Sequence, residues 1–274
     1  MGIASDISAD WNAALAALAW QYDLGVTEVV QEAPQNSFDL PEAAPWARRA
    51  PDLSQQLASP AQRRTETAPP AAPAGPDPVA FATLTAQACD SLDALRAAIA
   101  AFDLCELKRG AKNTVFADGN PAARVLVLGE APGREEDLEG RPFVGQAGQL
   151  VDRMFAAIGL SRSSPDRASA LYITNVMPWR PPGNRDPDPA EIALMRPFVE
   201  RHIALANPDL IVTFGNTPLA ALTGQRGILA ARGNWTEALG KPLMPMTHPA
   251  YLLRNPAAKR EAWSDLLQIK ARLG

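Results

Sequence analysis

Four short apolar segments in the C-terminal two-thirds of the chain have the length and composition of buried β-strands. Between them, apolar residues recur at helical spacing; Leu92, Leu95, Ile99 and Phe102, for example, share one face of a predicted helix. The predicted strands span 124–128, 171–175, 210–214 and 242–246, and the predicted helices span 81–103, 146–158, 189–206, 257–272 and a segment that begins near 216. Because strands alternate with helices, the pattern predicts an α/β fold with a mostly parallel sheet covered on both faces.

The N-terminal part of the chain has a different composition. Residues 8–22 are rich in alanine, and Leu15, Leu18 and Tyr22 recur at helical spacing, which predicts an amphipathic helix. Residues 31–80 contain ten of the 26 prolines, among Ala, Gln and Ser, which is typical of an extended linker. The sequence therefore predicts an N-terminal helical segment over 1–30, a Pro/Ala-rich linker over 31–80 and a globular domain over 81–274.

Composition and charge leave the function class open but narrow the cellular setting. The formal net charge is −4 and the pI about 5.3, which neither indicates nor excludes DNA binding, because only the docking face must be positive. Two cysteines, Cys89 and Cys105, are too few for a disulfide framework or a four-thiolate metal site. The chain starts without a basic segment ahead of an apolar run, and no stretch reaches about 18 apolar residues. We therefore expect a cytoplasmic protein with no signal peptide and no membrane span.

The first candidate motif follows the first predicted strand. It runs from Gly129 to Gly148 and reads GEAPGREEDLEGRPFVGQAG, with several carboxylates and one phenylalanine. A Gly/Pro-rich loop after a strand lets backbone N–H groups approach a ligand closely. The glycine spacing matches neither a dinucleotide fingerprint nor a P-loop. The motif therefore predicts a different kind of ligand site.

Two further motifs follow later strands. Asn175 ends the second predicted strand and is followed by VMPWRPPGNRDP, and His248 follows the last predicted strand and is followed by PAYLLR. A strand-end carboxamide can donate to an oxygen of a base and accept from a ring N–H. Sites in parallel sheets form at the carboxyl ends of the strands, so we expect the three motifs to meet at that edge.

Together, these motifs resemble those of the family 4 uracil-DNA glycosylases. The resemblance covers roughly two-thirds of the chain, from about residue 101 to the C-terminus. It implies a three-layer α/β/α sandwich with a short, mostly parallel central sheet. It also implies a DNA-repair hydrolase that flips uracil out of DNA and hydrolyses its N-glycosidic bond with water, leaving an abasic site.

Two alternatives bear on this activity. Strand cleavage at the abasic site would require a lysine placed for a Schiff base, but the nearest lysine by sequence is Lys241, so we expect a monofunctional enzyme. The other alternative is a binding module that recognises uracil or abasic DNA with little turnover. A pure binder would not need the set formed by Glu136, Asn175 and His248, which favours the enzyme.

The resemblance assigns roles to residues of the pocket. Phe143 corresponds to the ring that stacks on the flipped uracil, and Ala131 belongs to the adjacent loop that contacts it. Asn175 corresponds to the amide that recognises the pairing edge of uracil. Cytosine carries a hydrogen-bond donor where uracil carries an acceptor, so it would place that donor against the donor of the Asn175 amide. The negative charge that develops on the leaving uracil would be stabilised by His248 or by N–H groups of the loop at 130–133.

A carboxylate is expected to orient water and to stabilise an oxocarbenium-like sugar. We expect Glu136 to act on the water, Glu130 to shape the pocket around uracil, and Asp137 to be the third candidate. The alternative is that the acidic run over 135–139 is a solvated loop, which is the usual fate of such a run.

Two basic segments are expected to contact DNA, because arginines can hold phosphates and apolar side chains can fill the space left by a flipped nucleotide. These segments contribute Arg180, Asn184, Arg185, Tyr251, Leu252, Leu253 and Arg254. The alternative is a pair of core leucines and solvated arginines. His202 falls in a predicted helix, where we expect an exposed or hydrogen-bonded residue.

The chain departs from family 4 at the four cysteines that hold a [4Fe–4S] cluster. The resemblance places these positions at Phe102, Cys105, Trp179 and Met195, so one cysteine remains where the cluster needs four. The bulky apolar residues could fill the volume as a small core. We therefore expect no iron–sulfur cluster, no other metal or cofactor, and a monomer whose partners are uracil-containing DNA and free uracil.

Overall fold

A computed structural model describes residues 77–274 of the chain. The predicted N-terminal helix at 8–22 lies outside the described residues, as does the predicted linker apart from its last four residues. The first described helix already begins at Pro78, so the folded part starts slightly before residue 81.

A six-stranded sheet lies at the centre of the described residues. Its strands are β1 (Ala117–Gly119), β2 (Val125–Gly129), β3 (Leu171–Asn175), β4 (Leu210–Phe214), β5 (Thr236–Ala238) and β6 (Lys241–Met246). The order is β1-β3-β2-β4-β6-β5, in which the four central strands are parallel and the two edge strands antiparallel. The central strands are the four predicted ones, whereas the three-residue edge strands were not predicted.

Helices connect these strands and cover both faces of the sheet. They are α1 (Pro78–Gln87), α2 (Leu92–Ala101), α3 (Leu107–Gly110), α4 (Arg134–Glu139), α5 (Gln146–Ala156), α6 (Pro189–Ala206), α7 (Asn216–Thr223), α8 (Ile228–Ala231), α9 (Pro249–Arg254) and α10 (Lys259–Leu273), with 3-10 turns at Pro182–Asn184 and Pro256–Ala258. Among the described helices, none has the length and apolar character needed to cross a membrane.

Strand β2 shows how the layers form. Leu126 and Leu128 contribute to an apolar cluster with side chains of α1, α2, α6 and α7, whereas Val125 and Val127 contribute to a second cluster with α5 and α10. Successive side chains of a strand point to opposite faces, so a strand buried on both sides is apolar throughout. This arrangement confirms the predicted three-layer α/β/α sandwich.

The segment predicted as one helix over 81–103 is two helices, α1 and α2. The break comes at Asp90 and Ser91, because the Ser91 hydroxyl accepts a hydrogen bond from the Ala94 N–H at 3.2 Å and starts α2. Two helices also occur within segments predicted as loops: α4 in the first motif and α9 after His248.

Candidate functional site

A cleft of about 930 Å³ opens at the carboxyl ends of the parallel strands. Residues at the ends of the central strands line it: Glu130 directly after β2, Gly215 directly after β4, His248 two residues after β6, and Asn175 at the end of β3. The structure therefore brings the three motifs together at one edge of the sheet, and their polar side chains face a space large enough for a nucleotide.

Phe143 forms an aromatic wall of this cleft on a backbone held in the left-handed region, with φ of 53°. The Arg162 guanidinium donates to the carbonyls of Pro142 and Phe143 at 2.9 and 3.0 Å and fixes this conformation. Gly148 completes the support, since a Cβ there would overlap the Phe143 carbonyl group. A non-glycine residue at positive φ is costly, so this environment must over-determine it.

Asn175 carries a polar atom that the protein leaves without a partner. The residue is 7% exposed, and among the described residues nothing hydrogen-bonds its buried Oδ1 atom. Gly129 lies beside both Asn175 and the Phe143 ring, and any side chain there would collide with both. Buried polar atoms are almost always satisfied, so the unpartnered Asn175 oxygen is available for a hydrogen bond from a ligand or a water molecule.

His248 presents a neutral imidazole to the cleft. Its Nδ1 accepts a hydrogen bond from the Ala250 N–H at 3.2 Å, which leaves the proton on Nε2. Burial, followed by nearby Arg254, lowers the pKa of His248 to about 4, although Glu136 opposes this shift. The histidine is therefore an uncharged Nε2–H donor at neutral pH.

Glu136 lines the cleft, but backbone donors engage both of its oxygens. Oε1 accepts from the N–H groups of Val144 and Gly145 at 3.0 Å each, and Oε2 accepts from the Gly133 N–H at 3.1 Å. A carboxylate has about four acceptor positions, so these bonds use most of them. Glu136 thus ties the start of α4 to the segment that carries Phe143.

Glu130 has a different environment. Its Oε2 accepts one side-chain hydrogen bond, at 2.5 Å, from the hydroxyl of Thr217 in the first turn of α7. Burial raises the pKa of Glu130, the bond from Thr217 lowers it and nearby Asp186 raises it. Thr217 was missed by sequence reasoning, although its place three residues after β4, in GNT, could have indicated it.

Two predicted site residues are buried outside the cleft. Asp137 is 7% exposed, and its Oδ1 accepts from the N–H groups of Lys112 and Asn113 at 2.8 and 3.1 Å, so it faces away from the cleft and fixes the loop before β1. Leu252 is fully buried in the second apolar cluster, so it is a core residue and cannot contact DNA.

Four of the other predicted DNA contacts line the cleft, whereas Arg180 and Leu253 are not part of its lining. Asn184, Arg185, Tyr251 and Arg254 line it, and Leu253 is 36% exposed. Arg180 donates from Nε to the Asn184 side chain at 2.7 Å. Arg185 forms a two-bond ion pair with Glu191, at 2.9 and 2.6 Å, so its charge is already compensated.

His202 lies on α6, away from the cleft lining. It is buried, stacks on Phe116 with ring centroids 4.4 Å apart, and shares a hydrogen bond of 2.9 Å between Nε2 and the Tyr172 hydroxyl. Burial and Arg96 lower the pKa of His202 to about 3. It is therefore a neutral, hydrogen-bonded core residue and is not exposed.

The positions that correspond to cluster cysteines in family 4 lie within one apolar cluster. Phe102, Cys105, Trp179 and Met195 are each at most 3% exposed. Burial raises the pKa of Cys105, so its thiol stays protonated. Residues 77–274 contain no group of three His, Cys, Asp or Glu side chains arranged to hold a metal ion. The residues present do not fit a four-thiolate cluster.

Comparisons with known proteins agree with this geometry. The model of the uracil DNA glycosylase superfamily matches residues 116–267. A type-4 uracil-DNA glycosylase from Thermotoga maritima is 41% identical over 154 residues, which is 55% of this chain and 77% of the relative. Type-4 uracil-DNA glycosylases from Saccharolobus solfataricus and Sulfurisphaera tokodaii are 36% and 35% identical, over 67% and 66% of this chain and 87% and 84% of the relatives.

Proposed function

The chain belongs to the uracil-DNA glycosylase superfamily, and on this premise we propose that it is a DNA-repair hydrolase that excises uracil from DNA. The observation that carries the proposal is the group of Phe143, Asn175 and His248 in one cleft, with the Asn175 oxygen awaiting a donor. A flat base with an N–H between two carbonyl oxygens complements these three side chains.

Uracil is recognised by stacking and by its pairing edge. The base lies against the Phe143 ring, its N3–H donates to Asn175 Oδ1, and its O4 accepts from the amide nitrogen of the same side chain. Cytosine presents an amino group at position 4 and no proton on N3, so both contacts would fail and leave buried polar groups unpaired.

His248 supports departure of the base. As the bond between the sugar C1′ and the uracil N1 breaks, the electron pair leaves with uracil and negative charge develops on its oxygens. The Nε2–H of His248 donates a hydrogen bond to one of these oxygens. Because the imidazole is neutral, it stabilises the charge as a hydrogen-bond donor. In the loop at 130–133, Pro132 has no N–H and the Gly133 N–H is engaged by Glu136, so Glu130 and Ala131 offer the further backbone donors.

The two cleft glutamates divide the remaining work. Glu130 has one oxygen to spare, so it orients the water that attacks C1′ and stabilises the cationic sugar. Glu136 positions the segment with Phe143 through its three backbone bonds. This division revises the expectation that Glu136 acts on the water. Among the described residues that line the cleft there is no lysine, which supports hydrolysis without strand cleavage.

The proposal extends to products and setting. Free uracil and an abasic site are the products, and the protein acts as a cytoplasmic monomer without an iron–sulfur cluster. Size-exclusion chromatography with light scattering of the full chain should give the mass of one 29.2 kDa chain, and a dimer mass would contradict the monomer.

Product analysis in ¹⁸O-labelled water tests the hydrolysis. An oligonucleotide with one uracil should release free uracil, gain one labelled oxygen at C1′ and stay intact until alkali is added. A matched cytosine oligonucleotide is the control. Strand breakage before alkali would refute the monofunctional mechanism, and tight binding without released uracil would identify a binding module.

A further inference from the structure

A turn on the rim of the cleft is not used by the proposed pocket. This rim turn, residues 226–229, comprises the end of the connection from α7 and the first two residues of α8. Three of its side chains line the cleft: Arg226, Ile228 and Leu229. Leu229 is 63% exposed, and Arg226 is also exposed. An exposed apolar side chain beside a cationic one, at the mouth of a cleft, is typical of a surface that contacts a binding partner.

The rim turn is held in place. The Asn216 side chain, at the start of α7, accepts hydrogen bonds from the N–H groups of Gly227 and Ile228 at 3.0 and 2.9 Å. Gly227 has φ of 93°, a conformation that favours glycine. Asn216 directly precedes Thr217, so the turn is anchored one residue from the side chain that holds Glu130.

The charge on Arg226 is uncompensated within the described residues. The ion pairs formed within residues 77–274 do not include Arg226, whereas Arg185, which also lines the cleft, is paired with Glu191. A flipped nucleotide enters such a cleft base first, and its flanking phosphates stay at the mouth. An unpaired guanidinium at that position complements them.

We propose that the rim turn is a DNA contact: Arg226 binds a backbone phosphate next to the flipped nucleotide, and Leu229 packs against the neighbouring sugar or base. This inference rests on the proposed function, because the partner is the strand that carries the uracil. A single exposed leucine beside an unpaired arginine is too small and too polar for a stable interface with a second protein.

Binding to a duplex with one 2′-fluoro-deoxyuridine, which resists excision, tests the contact. The Kd, measured by fluorescence anisotropy across a range of salt concentrations, should rise about tenfold at low salt for Arg226→Ala. The slope of log Kd against log salt should fall by about one, as expected for one lost phosphate contact. Arg226→Lys keeps the positive charge and should retain the wild-type slope. Leu229→Ala should raise the Kd and leave the slope unchanged, because it removes an apolar contact and no charge.

Matched controls come from exposed residues outside the cleft lining. Arg109, with 76% of its side chain exposed, and Leu84, 68% exposed, should each be replaceable by alanine with no change in Kd or slope. An Arg226→Ala variant with wild-type Kd and slope would overturn the rim contact. Wild-type protein that releases no uracil would overturn the proposed function. The difference in salt slope between the wild type and Arg226→Ala would still decide whether Arg226 binds a phosphate.

Discussion

Glu130 and Glu136 line the same cleft but have different partners. Three backbone N–H groups hold the Glu136 carboxylate, whereas Glu130 accepts from the hydroxyl of Thr217. A carboxylate with both oxygens engaged by backbone donors stabilises a loop, and one with a free oxygen can bind a water molecule. Replacing each by glutamine should therefore have different consequences.

Glu130→Gln should lower the single-turnover rate of uracil release about 100-fold or more, with the fold and inhibition by free uracil retained. Glu136→Gln places an amide NH₂ against backbone N–H groups, so it should lower the thermal unfolding midpoint and weaken inhibition by free uracil. Single-turnover kinetics and thermal unfolding separate these outcomes. A wild-type rate for Glu130→Gln would show that a group other than Glu130 orients the attacking water.

Thr217 should tune the pH dependence of the reaction. Its hydrogen bond lowers the pKa of Glu130, which burial raises, and the proposed role on water requires the ionised form. Removing the hydroxyl in Thr217→Val should raise this pKa further, so the acidic limb of kcat/KM should move to higher pH. Thr217→Ser keeps the hydroxyl donor, so the acidic limb of kcat/KM should return to its wild-type pH. If Thr217 had only a structural role, Thr217→Val would lower the rate and leave the pH of the acidic limb unchanged.

The segment over 140–148 is the element that carries the pocket, and Gly148 is its tightest point. A Cβ at Gly148 would overlap the Phe143 carbonyl, although alanine is a better helix former than glycine. Gly148→Ala should therefore destabilise the fold by about 1–3 kcal/mol and abolish inhibition by free uracil. Gly110, which has open space around its Cβ position, provides the control; Gly110→Ala should be neutral in chemical denaturation and uracil inhibition.

The apolar cluster around Phe102, Trp179 and Met195 leads to a second prediction for an element. Three of the four positions lack a thiol, so the purified full chain should contain no iron and no absorption in the visible range. Phe102→Ala should lower stability without affecting metal content, since it opens a cavity. A brown protein with stoichiometric iron would show that other ligands hold a cluster.

Elements differed in how far the sequence could predict them. The central strands are buried on both faces, so each is a continuous apolar run, and their predicted bounds agree with the structure to within a residue or two. The edge strands have three residues each and partly exposed side chains, which leaves no pattern to detect. Helices α4 and α9 have six residues each, too few for helical periodicity to be visible.

Adjacent residues were hardest to assign in the site. Glu136 and Asp137 are chemically similar, yet the helical turn of about 100° per residue directs one to the cleft and the other to the loop before β1. Leu252 and Leu253 divide in the same way between core and surface. Sequence composition cannot fix the rotation of a six-residue helix, so the pocket motifs were predicted better than the side chains within them.

On the scale of the whole molecule, two histidines couple stability to pH. The pKa values of His248 and His202 are lowered from 6.5 to about 4 and about 3, so between these values and 6.5 the unfolded chain binds the protons first. The stability that these two neutral histidines contribute is therefore fully present above about pH 6.5 and is lost as the pH falls towards 4 and 3. Urea unfolding should show this slope between pH 6.5 and 4, and His202→Gln should flatten it by up to one proton. A slope that is unchanged in the variant would place the acid sensitivity elsewhere.

The cleft also explains how an acidic molecule can act on DNA. The net charge is −4, yet Arg226 and Arg254 stand at the cleft without ion-pair partners among the described residues. Local positive charge is sufficient for docking, and the carboxylates that lower the net charge include those needed inside the site.

Uracil recognition by Asn175 is tested by the single-turnover rate of uracil release from a uracil-containing duplex, measured for the wild-type chain and for Asn175→Ala. We expect rapid release by the wild type, a loss of several orders of magnitude in the rate of the variant, and an unfolding midpoint of that variant unchanged to within a few degrees. Equal rates for the two proteins, or no release by the wild type, would contradict this expectation.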